Sequence, residues 1–166
     1  RVHYVLGDIR SFNDVKKALG KATIVIHLAV AKSDEPESYS VNVEGAKNVR
    51  RACSSKIRII NVSTGATFLS RKGPYGRTKA LADKALAGPM TATLIPGLIY
   101  GPTNNGAFRA LMTAAQLPIV PLFGNGDSLF QPIHVDDVVA ALSSLATNSK
   151  AGTYHLPGPD TLDFHT

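Results

Sequence analysis

The sequence predicts an α/β fold in which a parallel sheet carries helices on both faces. Three observations predict it. Strand-like and helix-like stretches alternate through residues 1–96. The strand-like stretches include continuous β-branched runs such as "TIVIHLAV", the pattern of strands buried on both sides. The helical stretches between them are long enough to serve as crossovers between parallel neighbours.

The elements follow in order. "VHYVL" at 2–6 reads as a strand closed by a Gly-Asp turn at 7–8. "SFNDVKKALG" reads as a short helix, with Ser11 as N-cap, Val15, Ala18 and Leu19 as its apolar stripe, and Gly20 as its stop. Residues 23–30 read as a strand covered on both faces. A longer helix is predicted over 36–54, where Tyr39, Val43, Ala46, Val49 and Cys53 recur at helical spacing. Next come a strand at 57–62 ("IRIINV"), a polar loop, a helix carrying Tyr75 and Lys79, and a strand at 91–95. After Pro96, glycines and prolines punctuate shorter elements: a helix near 106–116, a strand near 128–133, a helix at 135–147 and a strand at 153–156. The texture thus divides the chain into a sheet-forming part, 1–96, and a loop-rich part, 97–166, packed as one domain. Loops at the ends of parallel strands are where such folds gather ligand contacts.

Composition narrows the function classes. Eighteen Lys and Arg against twelve Asp and Glu give a formal charge of +6. The basic residues form short pairs, Lys16–Lys17, Arg50–Arg51 and Arg71–Lys72, without aromatic interleaving or a nucleic-acid module. No nucleic-acid partner is expected, and an anionic small ligand fits the charge equally well. The single cysteine, Cys53, excludes an internal disulfide and a multi-cysteine zinc site, and its apolar helical setting reads as core. The five histidines show no metal-ligand spacing, and no Gly-x-Ser-x-Gly elbow is present. No apolar run has the length of a membrane span and no signal peptide is evident, so the expectation is a cytoplasmic protein without a membrane partner.

The stretch "GPYGRTKALADKAL" carries the chemistry. Tyr75 and Lys79 are four residues apart and share one face of a helix. An ammonium beside a phenol favours the phenolate. Lowering a phenol from its ordinary value to neutrality requires about three pK units, or roughly 4 kcal/mol, more than one lysine supplies. A second cation and a hydroxyl donor would supply the rest, and Thr64, directly after the 57–62 strand, sits where a hydroxyl could reach the same pocket. Tyr-x-x-x-Lys alone also arises by chance on amphipathic helices.

Taken together, "GDIRS", "VIHLAV", "VNVEGAKNV", "NVSTGATF", "PYGRTKALADKAL", "IPGLIYGP" and "QPIHVDDVVAAL" resemble, in order and spacing, the extended and atypical short-chain dehydrogenase/reductases, the superfamily of NAD-dependent epimerases and dehydratases. The resemblance implies an incomplete Rossmann-like sheet with a partial substrate-side region at the C-terminus. It implies NAD or NADP as cofactor and a small-molecule substrate, a nucleotide sugar among the candidates. Asp8 would accept from the adenine amino group, with Ile9 on the ring, and Leu28 and Ala29 would line the nucleotide. Asn42 would position cofactor and active-site groups. Thr64, Tyr75 and Lys79 would be the catalytic set, with Lys79 holding the nicotinamide ribose hydroxyls and lowering the Tyr75 pKa. Pro96 and Leu98 would border the nicotinamide, and His134 and Asp137 would brace the substrate side. No metal site is implied.

Plainer readings stand beside these. Asp8 can cap a turn, His27 can be a hydrogen-bonded core histidine, Asn42 a surface polar residue, and Thr64 can bond the following backbone. His134 and Asp137 read as a helix start. Asn104, Asn105 and the Gly124–Asn125–Gly126–Asp127 turn can touch a sugar or serve only as turn residues.

The departures matter equally. The family's first strand, its Gly-x-x-Gly-x-x-Gly turn and its second strand have no counterpart, since Arg1 falls where the third strand begins. Both ends read as cut. The glycine turn is what holds a pyrophosphate, so weak or absent NAD(P) binding is expected. The two absent strands would lie between residues 2–6 and 23–28, and the bare edge predicts pairing with a second copy. Ile95 stands where an arginine is usual, and the gap from Thr64 to Tyr75 is short for a sugar epimerase. Three functions remain open: a central part of an NAD(P)-dependent epimerase, dehydratase or reductase, weak or inactive as given; a redox-inactive binding or scaffold protein of the same fold; and a truncated gene fragment without independent activity.

Overall fold

In the computed structural model, which describes residues 2–102, 107–119, 126–148 and 150–164, every strand of the main sheet runs parallel to its neighbours. Helix α1 (Phe12–Leu19) starts where expected: the Ser11 hydroxyl accepts from the Asp14 amide, and Gly20, at φ 48°, stops it in a conformation that disfavours a side chain. Strand β1 (Ile24–His27) leads to a long helical segment made of α2 (Glu35–Tyr39), a π-helical turn (Ser40–Glu44) and α3 (Gly45–Ala52). Strand β2 (Arg58–Val62), a 3₁₀ turn (Gly65–Phe68), helix α4 (Pro74–Leu86) and strand β3 (Thr91–Pro96) follow. Pro36 and Pro74 sit in the first turns of their helices, where the missing N–H costs nothing.

The second half holds β4 (Leu98–Tyr100), α5 (Ala107–Ala114), β5 (Pro132–His134), α6 (Val135–Asn148) and β6 (Gly152–Leu156). The main sheet has the order β1-β2-β3-β6, so the last strand returns beside β3, while β4 and β5 form a separate parallel pair. Two glycines permit the close approach of these layers. A Cβ on Gly97 would lie 2.0 Å from the Gln131 carbonyl oxygen, and one on Gly158 only 1.5 Å from that of Pro132. A side chain at either would push β5 off the end of the main sheet.

Successive residues of a strand point to opposite faces, and β2 uses both. Ile59 joins Val15, Ala46, Val49, Cys53, Ala82 and Leu86 in a core beneath α1, α3 and α4. Ile60 joins Ala92, Leu94, Ile133, Val138 and Leu145 in a second core beneath α6. Helices therefore cover both faces, and burying roughly a Leu or Ile side chain in either layer stabilises by about 1.5–3 kcal/mol.

Four expectations need correction. Residues 2–6 form no strand; Tyr4 and Leu6 are almost fully exposed, because alternation cannot make a strand where no neighbour supplies hydrogen bonds. The strand at 23–30 shortens to four residues and is not covered on both faces. Its Ile24 and Ile26 stay exposed because β1 is the sheet's edge, beyond the reach of α6, which packs over β2 and β3. The strand near 128–133 is shifted: Phe130 makes a single antiparallel bridge with Leu162, and β5 starts at Pro132. Strand β4 was not foreseen, since three residues between Gly97 and Gly101 are too few to show a period. Asn104, Asn105, Gly124 and Asn125 lie outside the described residues.

Candidate active site

The site forms where β2 ends against α4. Thr64, just beyond β2, is the N-cap of the 3₁₀ turn; its Oγ1 accepts from the Ala66 amide at 3.4 Å. That turn rests directly on α4: a Cβ on Gly76 would come within 2.7 Å of the Ala66 carbonyl oxygen. The contact brings the Thr64 side chain beside the half-buried Tyr75 phenol, near enough for its hydroxyl to favour the phenolate. One turn further along α4, Lys79 is 4% exposed, and its Nζ donates to the Val62 carbonyl at 2.8 Å. One turn beyond that, the Asp83 carboxylate accepts from Asn61 Nδ2 at 2.7 Å and from the Ser63 hydroxyl. Tyr75, Lys79 and Asp83 thus line up along one face of the helix, against the end of β2.

Burial sets the electrostatics. It raises the Tyr75 pKa above its ordinary value of 10.0; the Thr64 hydroxyl pulls it down, and the Asp83 charge pushes it up again. Burial lowers the Lys79 pKa, with Asp83 opposing. His27, beside Asn61 in the sheet register, is 4% exposed, and burial followed by the Lys79 charge lowers its pKa to about 4, with Asp83 again opposing. The expectation that Lys79 lowers the Tyr75 pKa does not describe this geometry: the ammonium is turned to the Val62 carbonyl, and the groups acting on the phenol are Thr64 and Asp83. A second cation is present from elsewhere. The Lys32 ammonium, on the loop after β1, stands over the Tyr75 ring at 5.4 Å.

Asn42 is a structural joint rather than a surface residue. Its Oδ1 accepts from the Ala31 amide at 2.7 Å, while Nδ2 donates to the Ala31 carbonyl at 2.9 Å and to Thr78 Oγ1 at 3.0 Å. The π-helical turn places this buried amide between the loop after β1 and α4. The loop that carries Lys32 is thereby tied to the helix that carries Tyr75.

The remaining expected residues divide between two cavities. Asp8, Ile9, Leu28 and Ala29 line one of about 480 Å³ between residues 5–9, α1 and β1. Thr64, Pro96 and Leu98 line another of about 670 Å³ at the carboxyl ends of β2 and β3. Tyr75, Lys79 and Asn42 line neither; Tyr75 is joined to the second through Thr64. Asp8 does cap a turn: its Oδ1 accepts from the Arg10 amide at 2.8 Å, and the Arg10 guanidinium grips the carboxylate, holding its pKa at about 2. His27 is a core histidine, but among the described residues its Nε2 has no hydrogen-bond partner, against expectation. His134 belongs to a helix start, its Nδ1 accepting from the Asp136 amide at 3.3 Å, and Asp137 is exposed in the first turn of α6. Among the described residues no group of His, Cys, Asp and Glu is placed to hold a metal, and no helix is long and apolar enough to cross a membrane.

Reading the sequence missed Lys32, Gly76, Thr78 and Asp83. Asp83 was accessible in principle, being four residues after Lys79; Lys32 offers no local signal at all. The Asp8 carboxylate, held by Arg10, lies beside Ile9 and Leu28 in the first cavity, and Pro96 and Leu98 border the second. The 166 residues contain no Gly-x-x-Gly-x-x-Gly turn.

Comparison with known proteins extends this picture. The model of the NAD dependent epimerase/dehydratase family matches residues 1–156. The chain is 28% identical over 169 residues to the Arabidopsis thaliana mitochondrial NADH dehydrogenase [ubiquinone] 1 alpha subcomplex subunit 9, covering 95% of this chain and 42% of that protein. It is 27% identical over 186 residues to 3beta-hydroxysteroid-dehydrogenase/decarboxylase isoform 2 of the same plant, covering 92% of this chain and 33% of the relative. The chain thus spans less than half the length of these relatives. Among solved structures, MoeE5 in complex with UDP-glucuronic acid and NAD superposes with a TM-score of 0.78 at 24% identity, over 96% of this chain and 64% of that one. That likeness establishes the Rossmann-type fold.

Proposed function

The chain belongs to the NAD-dependent epimerase/dehydratase family, and we propose that it carries the proton-transfer site of an NAD(P)-linked reaction at a carbonyl or secondary alcohol of a small molecule. The observation that carries this reading is the alignment of Tyr75 and buried Lys79 on one face of α4, against the end of β2 that Thr64 continues. A phenol whose pKa is raised is protonated at neutral pH, the state a general acid needs. In the reducing direction Tyr75 gives its proton to the substrate oxygen, Thr64 shares that hydrogen bond, and the carbonyl carbon becomes a secondary alcohol. When bound, the nicotinamide supplies or accepts the hydride. Lys79 steadies the helix against β2, and in this reading its remaining N–H groups would hold ribose hydroxyls; Lys32 offsets the charge left on Tyr75.

Asp8, Ile9, Leu28 and Ala29 would hold the adenine end and Pro96 and Leu98 the nicotinamide end. We propose that these 166 residues taken by themselves bind NAD or NADP weakly. A redox-inactive binding protein is the second reading, favoured by the Arg10 clamp on Asp8.

Calorimetric titration with NAD⁺ and NADPH, repeated on Tyr75→Phe with a turnover assay, tests the reading. Dissociation constants well above the micromolar range, with activity lost and binding unchanged in the variant, are expected. Equal activity in Tyr75→Phe would overturn the enzymatic reading.

A further inference from the structure

The cleft beside Thr64 differs in character from the rest of this basic protein. Its walls are Ile95, Leu98, Leu129, Phe130 and Pro157. Its polar side chains besides Thr64 are Gln131, His155 and Thr161. Gln131 Nε2 donates to Thr161 Oγ1 at 3.0 Å, and the His155 ring lies against Phe68 at 5.5 Å. Among the described residues no Lys, Arg, Asp or Glu lines it. Leu129 in its wall and Phe68, which packs on the His155 ring, leave 70% and 62% of their surface exposed and so offer apolar area for a ligand to cover.

Charge along the chain explains this. Sixteen of the eighteen Lys and Arg precede residue 85. From residue 85 onward there are only Arg109 and Lys150, against five aspartates, and the stretches outside the described residues in this half carry no Lys or Arg. Lys150 lies beside Arg58 and Met90, where the main-sheet strands begin, at the opposite end from the cleft; Arg109 is exposed on α5. A diphosphate needs cations or converging amide donors when it leaves water, and this half of the molecule has almost no cations to offer. An apolar body needs only surface to cover.

We propose that this cleft takes an apolar ketone or secondary alcohol, its oxygen directed to Thr64, on the side of the cleft toward Tyr75, and its hydrocarbon body against Leu98, Leu129 and Phe130, in preference to a nucleoside diphosphate sugar. The placement of the oxygen rests on the function proposed above; the choice of an uncharged, apolar body rests on the cleft alone. The site reads for hydrocarbon bulk and against phosphate.

The probes are 2-decanone and UDP, titrated into the chain by ligand-observed NMR and calorimetry, with Leu129→Asp and Phe68→Asp as variants. Both side chains are largely exposed, so the fold does not depend on them, and unchanged thermal unfolding midpoints verify this. Saturable binding of 2-decanone, weakened at least tenfold in either variant, with no saturation by UDP, is the expected result. Saturable UDP binding without decanone binding, no decanone binding at all, or decanone binding indifferent to both substitutions overturns the proposal. Variant-sensitive decanone binding that Thr64→Val leaves unchanged keeps the cleft assignment standing and counts against the placement of the oxygen, and with it the proton-transfer reading, instead.

Discussion

Acidification should unfold this protein through His27. The imidazole is 4% exposed, its Nε2 has no partner among the described residues, and the Lys79 ammonium adds to the burial that disfavours a second positive charge. Its pKa falls from 6.5 to about 4 in the folded chain. A lowered basic pKa means that the unfolded chain binds the proton first. Stability is therefore complete above the unfolded value, declines as the pH falls from 6.5 toward about 4, and changes no further below both values. At about 1.4 kcal/mol per unit, the full window is worth about 3 kcal/mol, most of it already lost near pH 4.5. Asp8 does not confuse the reading, because its own window runs from 3.8 down to about 2. Urea unfolding followed by circular dichroism at about pH 7.5, 6.5, 5.5 and 4.5 measures the slope. In His27→Leu, which cannot titrate there, the decline across this window should shrink by that amount. Parallel declines in both proteins would refute the reasoning, since His27 would then be titrating as if exposed.

Other substitutions probe the scaffold of the site. Asn42→Ala removes three buried hydrogen bonds and should cost about 2–3 kcal/mol by denaturant unfolding, with the 29–32 loop losing amide-exchange protection first. Gly76→Ala would gain about 1 kcal/mol of helix propensity, but its methyl meets the Ala66 carbonyl; a net loss of about 1–2 kcal/mol is expected, and a stabilised variant would mean that the 3₁₀ turn is not seated as described. Ile26→Lys on the exposed β1 edge should abolish any concentration-dependent association seen by sedimentation, and persistence of association would place the contact elsewhere.

The sheet was readable where burial is two-sided. β2 and β3 came within a residue or two of their predicted limits because Ile59, Ile60, Ala92 and Leu94 each face a core, and a continuous apolar run is the signal of that. Residues 2–6 carry a similar pattern and form nothing, since a strand is completed by its neighbour and not by its own sequence. The spacing that put Tyr75 and Lys79 on one face was correct as geometry. It could not reveal where the Lys79 ammonium points, which is set by a carbonyl from a strand seventeen residues earlier. Lys32 was equally invisible: its place over the Tyr75 ring depends on Asn42 tying two elements together, a contact thirty-six residues long in sequence. Helix-borne chemistry was legible; chemistry assembled across elements was not.

The claim on which the account turns is that Thr64 acts on the Tyr75 phenol. Tyrosine labelled with ¹³C at Cζ, followed by NMR through alkaline titration and assigned with Tyr75→Phe, measures it without cofactor or substrate. The Tyr75 midpoint should lie above 10.0 and climb further in Thr64→Val, which removes the group that favours the phenolate. A midpoint at the ordinary value, unmoved by Thr64→Val, would contradict the account.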